Sequence, residues 1–220
     1  MARFIFWLFV LFCFGAEAQE TKPPENAAQA MAWYKKEAVR GNVKAKFLLA
    51  TIYERGIGTP PDLAQAFHWY KEAAEQGYVD AQFKVGLGYF HGKGTERDYK
   101  EATRWFRLAA QEGVAEAAYN VGLMLEQGQG EAKNSKEAAE WYLAAAEAGL
   151  VLARHRLGLL YFRGDGVKAD KVKAAVWLSL AAQQGDAAAG QFKDEIMARL
   201  SSKEQEEVKK QVSHKEKSRE

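Results

Sequence analysis

Five of the six tryptophans in this 220-residue chain stand in one register: Trp33, Trp69, Trp105, Trp141 and Trp177, each 36 positions from the last. Glycines keep the same step at Gly41, Gly77, Gly113, Gly149 and Gly185. Glycine pairs recur at Gly56/Gly58, Gly92/Gly94, Gly128/Gly130 and Gly164/Gly166. A strict period of this length marks a solenoid. One unit is too short to bury its own apolar face and becomes stable only when neighbours stack on it.

Within each unit the apolar spacing selects helices. Ala45, Leu48, Leu49, Ile52 and Tyr53 recur at intervals of three and four, the period of an amphipathic helix. Gly56 and Gly58 end it, because glycine takes the left-handed backbone of a C-terminal cap without a Cβ penalty. A second helix opens at Asp62, Asp98, Asn134 and Asp170. These side chains accept from the free N–H groups of a first turn, a contribution of about 1 kcal/mol each. Gln65, Glu101 and Glu137, three residues further on, predict reciprocal capping boxes, and Lys173 breaks the pattern in the fourth copy. The second helix carries Ala66, Trp69, Tyr70, Ala73 and Ala74 and their counterparts. Small residues allow close approach and large rings fill the space between units, so Trp105→Ala is expected to cost about 3–5 kcal/mol.

The chain divides into a targeting segment at 1–18, a lead-in at 19–25, and an N-terminal half repeat at 26–41 capped by Asn26. Four full repeats follow at 42–77, 78–113, 114–149 and 150–185. Capping helices and a charged tail occupy 186–220, with a last helix from Ser202 to about Val212 and a frayed end from Ser213. Arg3, the apolar run Phe4 to Phe14 and the small-x-small site Ala16-Glu17-Ala18 predict a secretory signal cleaved after Ala18. The run is too short to span a bilayer, and no other apolar stretch suits one, so no membrane span is expected in the mature chain. The expected location is the periplasm or the secreted fraction. Cys13 is the only cysteine and would leave with the signal, so no disulfide stabilises the mature fold. The net charge of +2 gives no footprint for nucleic acid.

The unit reads Ala-x-x-x-[Leu/Val]-Gly-x-x-Tyr-x-x-Gly-x-Gly, then Asp, then Ala-x-x-Trp-[Tyr/Phe]-x-x-Ala-Ala-x-x-Gly. It resembles the Sel1-like repeat, a relative of the tetratricopeptide repeat, over residues 26 to about 190. The departures are Ala50, where glycine is usual, and Leu125, where tyrosine is usual. The resemblance implies an all-α, right-handed superhelical solenoid of antiparallel helix pairs, used as a protein-binding scaffold. Secreted bacterial relatives include regulators, assembly factors, host-binding factors and immunity proteins. One cysteine-rich branch is linked to penicillin binding. This chain lacks those cysteines, and that activity is not carried over.

Catalytic signatures are missing from the sequence. The Gly-x-Gly loops join helices, whereas a dinucleotide fingerprint lies between a strand and a helix. No Gly-x-Ser-x-Gly elbow, Ser-x-x-Lys pair, His-Glu-x-x-His motif or Cys/His metal set occurs. His68, His91, His155 and His214 stand singly, although His91 and His155 share a face. No catalytic residue, cofactor or metal is expected. The charge is uneven: the four repeats carry net charges of zero, +1, −4 and +4 in order. Such a contrast serves either attraction within the stack or partner steering.

By analogy with tetratricopeptide folds, the first helix of each pair lines a concave groove. The groove positions are then Phe47, Thr51, Glu54 and Arg55, and in later copies Phe83, Leu87, Phe90, His91, Tyr119, Leu123, Glu126, Gln127, His155, Leu159, Phe162 and Arg163. Aromatic and arginine side chains dominate contact hot spots. The candidate partner-binding set is therefore Phe83, Leu87, Phe90, His91, Glu126, His155, Phe162 and Arg163. The expected function is a monomeric, non-enzymatic scaffold that binds another protein or peptide. The alternative is a cell-wall or β-lactam-related hydrolase.

Overall fold

The computed structural model describes residues 27–217, so the apolar start, its expected cleavage site and Asn26 lie outside it. Among the described residues there are eleven helices and no strand. They are α1 (Ala27–Val39), α2 (Val43–Arg55), α3 (Leu63–Ala74), α4 (Val79–His91), α5 (Tyr99–Gln111), α6 (Ala115–Gln127), α7 (Ser135–Glu147), α8 (Val151–Arg163), α9 (Lys171–Ala182), α10 (Ala187–Met197) and α11 (Ser202–Lys217). Helices α2/α3, α4/α5, α6/α7 and α8/α9 form hairpins, and each second helix packs on the first helix of the next unit. The solenoid is thus held by neighbours in sequence, with α1 standing as a lone second helix against α2.

Each hairpin closes in the same way. Gly56, Gly92, Gly128 and Gly164 end the first helix with φ between 69° and 80°. Asp62, Asp98, Asn134 and Asp170 cap the second by accepting from the backbone N–H groups of Gln65, Glu101, Glu137 and Lys173. The reciprocal half of the expected capping boxes is not what forms. The cap residue's own N–H donates instead to the first helix, to Tyr53, Tyr89, Leu125 and Tyr161 at 2.9–3.0 Å. That backbone bond removes the orphan donor and ties loop to helix, leaving Glu101 to meet Arg104 and Glu137 to meet Arg107. A complete box forms at Ser201 and Glu204, where each backbone N–H donates to the other's side chain.

Two kinds of close approach set the stacking. Within a hairpin, the glycine inside the first helix lies under the ring or branch that follows the tryptophan. A Cβ on Gly86 would stand 2.6 Å from Phe106, and one on Gly158 would stand 2.7 Å from Leu178. Between hairpins, the second loop glycine presses on the preceding unit's second helix. A Cβ on Gly94 would fall 2.0 Å from the Leu63 carbonyl oxygen. In the four full repeats the residue after the tryptophan is the better buried one: Tyr70, Phe106, Tyr142 and Leu178 are all core, as are Trp105 and Trp177, whereas Trp69 and Trp141 are half-buried.

The stacking surfaces also exchange volume. Phe67 on α3 meets Gly88 on α4, where an added Cβ would lie 2.6 Å from the ring. One repeat later, Thr103 meets Met124, with Oγ1 3.5 Å from the sulfur. The same register pairs Ala139 with Leu160 and Ala175 with Ile196, all buried. A large side chain on one helix is answered by a small one on the other, as native packing density demands.

The solenoid stops by changing its surfaces. At the seam where earlier first helices carry Val85-Gly86, Val121-Gly122 and Leu157-Gly158, α10 carries Lys193-Asp194. Helix α11 packs against α9. It covers Val176 and Leu180, which are 1% and 3% exposed, at positions where Arg104, Glu140 and Ala144 face solvent. Lys215 lies over the Trp177 ring at 4.4 Å. Helix α11 continues to Lys217, beyond the expected end near Val212, because Val208 and Val212 are buried and Lys215 is docked.

Gly88→Leu should destabilise the domain by roughly 1–3 kcal/mol through overpacking against Phe67. Phe67→Ala should also cost stability by leaving a void. In urea denaturation the double variant should lose less than the sum of the two by about 1 kcal/mol. Simple additivity would remove the volume exchange from the account of stacking.

Candidate partner-binding face

Residues at equal positions in successive repeats form rows along the solenoid. The face carried by the first helices therefore has a row at 54/90/126/162 and another at 55/91/127/163. The first reads Glu, Phe, Glu, Phe and the second Arg, His, Gln, Arg. The alternation in the first row is built into the packing.

At the first junction the Tyr70 hydroxyl donates to Glu54 at 2.7 Å, and the Lys84 ammonium reaches the same carboxylate at 3.0 Å. At the third junction the Tyr142 hydroxyl donates to Glu126 at 2.7 Å, with Arg156 at 3.8 Å. Burial by itself would raise the Glu54 pKa, but the Tyr70 hydrogen bond and the Lys84 charge outweigh it and hold the carboxyl below its ordinary range. Burial and the adjacent carboxylates push both phenols well above theirs, so each stays a donor. In the second and fourth repeats the same space is apolar. Phe90 stands 5.6 Å from Tyr99 and 6.3 Å from Phe106 between centroids, and Phe162 meets Phe192 edge-on at 5.7 Å.

The eight candidate residues separate by environment. Phe83, Leu87, Phe90 and Phe162 are half-buried and pack against the core. Phe83 lies 5.8 Å from Phe106. Truncating Phe90 or Phe162 therefore removes packing as well as surface, a loss of roughly half the 1.5–3 kcal/mol that a fully buried side chain contributes. Glu126 is held by Tyr142. His155 is turned to the cap of α10, with Nδ1 2.7 Å from Asp186 Oδ2. Its partner is thus Asp186, not His91. His91 and Arg163 are exposed, and neither has an ion-pair partner among the described residues. Beside Leu87 and His91 opens a small cleft of about 160 Å³, lined also by Glu54, Tyr70, Lys84 and Lys93. Among the described residues no group of three His, Cys, Asp or Glu side chains is placed to hold a metal ion. No described helix is long and apolar enough to cross a membrane.

The Sel1 repeat profile matches residues 5–38, 43–78, 79–114, 115–150 and 151–186. This chain belongs to the Sel1 repeat family. The first match runs back over the apolar start, so the family pattern recognises the N-terminal half repeat as part of a longer unit. Among solved Sel1 structures, one similar to it is c5321, a protective antigen present in uropathogenic Escherichia coli strains. That protein is 34% identical over 86% of this chain with a TM-score of 0.74, and this chain spans 40% of its length. A Sel1 repeat protein from Oxalobacter formigenes is 33% identical over 85% of this chain and 79% of its own, with a TM-score of 0.73. No curated protein sequence matches the chain. Sel1 repeat proteins are generally protein-interaction scaffolds.

Part of the charge contrast within this Sel1 solenoid is internal. Arg107 of the second repeat grips Glu131 at 2.8 Å and Glu137 at 2.6 Å. Arg156 of the fourth repeat approaches Glu126. The acidic third repeat is thereby clamped from both sides. The Glu–Tyr–cation sets escaped the sequence reading because it compared repeats at a 36-residue step. A 72-residue step would have aligned Glu54 with Glu126, Tyr70 with Tyr142 and Lys84 with Arg156.

A carboxyl whose pKa is lowered by folding stabilises the folded state above its unfolded value, about 4.3 for glutamate, and that stabilisation fades as pH falls through the folded value. Glu54→Gln should thus melt below the parent at pH 7, and the gap should close toward pH 3. A gap of constant size in thermal melts across that range would show that the Glu54 charge contributes nothing.

Proposed function

We propose that this Sel1 repeat protein is a non-enzymatic scaffold, exported to the periplasm or beyond, that captures a protein or peptide on the face formed by the first helices of its repeats. The observation that carries the reading is the exposure of His91 and Arg163 beside half-buried Phe90 and Phe162. Glu54, Lys84, Glu126 and His155 on the same face are already engaged within the protein, whereas Arg55 and Gln127 are exposed. Aromatic and arginine groups left accessible on a rigid support are the ones that serve as contact anchors. The packed solenoid supplies that support, so binding proceeds with little refolding and a small ordering cost. Export rests on Arg3, the apolar run to Phe14 and the site at Ala16–Ala18.

Residues 19–220, used as bait in affinity capture from a cell-envelope extract, should retain a stoichiometric protein. His91→Ala with Arg163→Ala should lose it while keeping the parent's helicity, since both side chains are exposed. Equal retention by parent and variant would move the binding surface elsewhere. N-terminal sequencing of the protein from its native host should begin at Gln19, and a start at Met1 would overturn export by a cleaved signal.

A further inference from the structure

The first helices of the second and fourth repeats share a pattern that those of the first and third lack. Helix α4 carries Lys84, Leu87, Phe90 and His91, and α8 carries Arg156, Leu159, Phe162 and Arg163. At the same positions α2 has Leu48, Thr51, Glu54 and Arg55, and α6 has Asn120, Leu123, Glu126 and Gln127. Positions i, i+3 and i+7 lie on one side of a helix, so each patterned helix sets a basic group, a leucine and a second nitrogen-bearing group in line.

The carboxylates nearest these lines are spoken for. Glu54 holds Lys84 and Glu126 holds Arg156, each with a tyrosine hydroxyl as second partner. What remains accessible at the far end is His91 with exposed Lys93 on α4's side, and Arg163 on α8's side. Asp165, in the loop after α8, makes no ion pair with Arg163 among the described residues. A basic residue in a last helical turn is favourable in itself. That effect acts on all four first helices and does not place basic–leucine lines on alternate ones.

We propose that the partner segment is acidic and amphipathic, and that it is held at two equivalent stations, one on α4 and one on α8. At each station a carboxylate of the partner meets the unpaired group, His91 or Arg163, and an apolar side chain rests on the half-buried Leu87/Phe90 or Leu159/Phe162 surface. Arginine suits the role because its planar fork takes a carboxylate through two bonds. Two stations on one rigid support make the second contact intramolecular, so a segment reaching both binds more tightly than one reaching either. The proposal rests on the partner-binding reading above and adds the chemistry and the spacing.

The probes are synthetic peptides of Glu, Leu and Phe, one long enough to reach both stations and one half that length, with a Lys-for-Glu counterpart of the long one. Titrated against residues 19–220 by fluorescence anisotropy, the long acidic peptide should bind most tightly and weaken as salt is added. Arg163→Glu should weaken it about tenfold, the scale of one charge-assisted contact. His91→Glu combined with Arg163→Glu should lower affinity to the background of the Lys peptide. Circular dichroism checks each variant, and Arg163→Gln replaces any that loses helicity. If the Lys counterpart binds as well and is displaced by His91→Ala/Arg163→Ala, the face still binds partners but the acidic chemistry is wrong. If the half-length acidic peptide binds as tightly as the long one, the two-station arrangement is wrong. If no peptide binds, the proposal fails, while affinity capture decides the broader reading separately.

Discussion

The second loop glycine of a repeat sits so close to the preceding repeat that a single methyl group would enter the backbone of its neighbour. At Gly94, Gly130 and Gly166 the nearest atoms are carbonyl groups at the start of the previous second helix, at Leu63, Tyr99 and Ser135. This contact fixes the distance between units. Everything else, from the burial of Phe106 and Tyr142 to the alignment of rows on the first-helix face, depends on that spacing. The in-helix glycines Gly86, Gly122 and Gly158 set how closely the two helices approach within the second, third and fourth hairpins. Small residues therefore define the frame, and large ones fill what the frame leaves.

On this frame, the first-helix face is a mixture of finished and unfinished interactions. Lys46, buried and bonded to Glu72 at 2.9 Å, is finished. So is Arg154, which donates to the Ala146 and Leu180 carbonyls near the ends of α7 and α9 and so joins two second helices through a first. Removing Glu72 would leave the buried Lys46 ammonium without its partner, and removing Arg154 would take a donor from the Ala146 and Leu180 carbonyls, both of which are costly. His91 and Arg163 have no such internal duty, and their accessibility is what separates a contact surface from a packing surface here.

The period made the architecture legible, because one register of tryptophans and glycines is enough to demand stacked hairpins. Cap residues were equally plain: Asp62, Asp98, Asn134 and Asp170 do what their side chains allow. The rest was hidden for physical reasons. Backbone–backbone bonds leave no side-chain signature, so nothing in the sequence announced that Tyr53 or Tyr89 would accept from the cap N–H. Phe90 is as apolar as a groove anchor and as a packing residue, and only its distances to Tyr99 and Phe106 show that it serves the core. His155 looked free until α10 brought Asp186 beside it. The charged composition of α11 masked its docking, which depends on the spacing of Val208, Val212 and Lys215 along one side.

Repeats that share one period invite recombination between copies, and the graded volumes at the junctions bear on which products survive. Loss of residues 78–113 would join the first repeat to the third and set Phe67 opposite Met124, in a slot that now admits no more than a glycine. Loss of the first pair of repeats together would instead set the helix ending at Val39 against the third repeat and preserve the Glu–Tyr–cation alternation downstream. The order of the units is therefore written into their interfaces, and which repeats can be lost depends on the volumes that the new junction sets together.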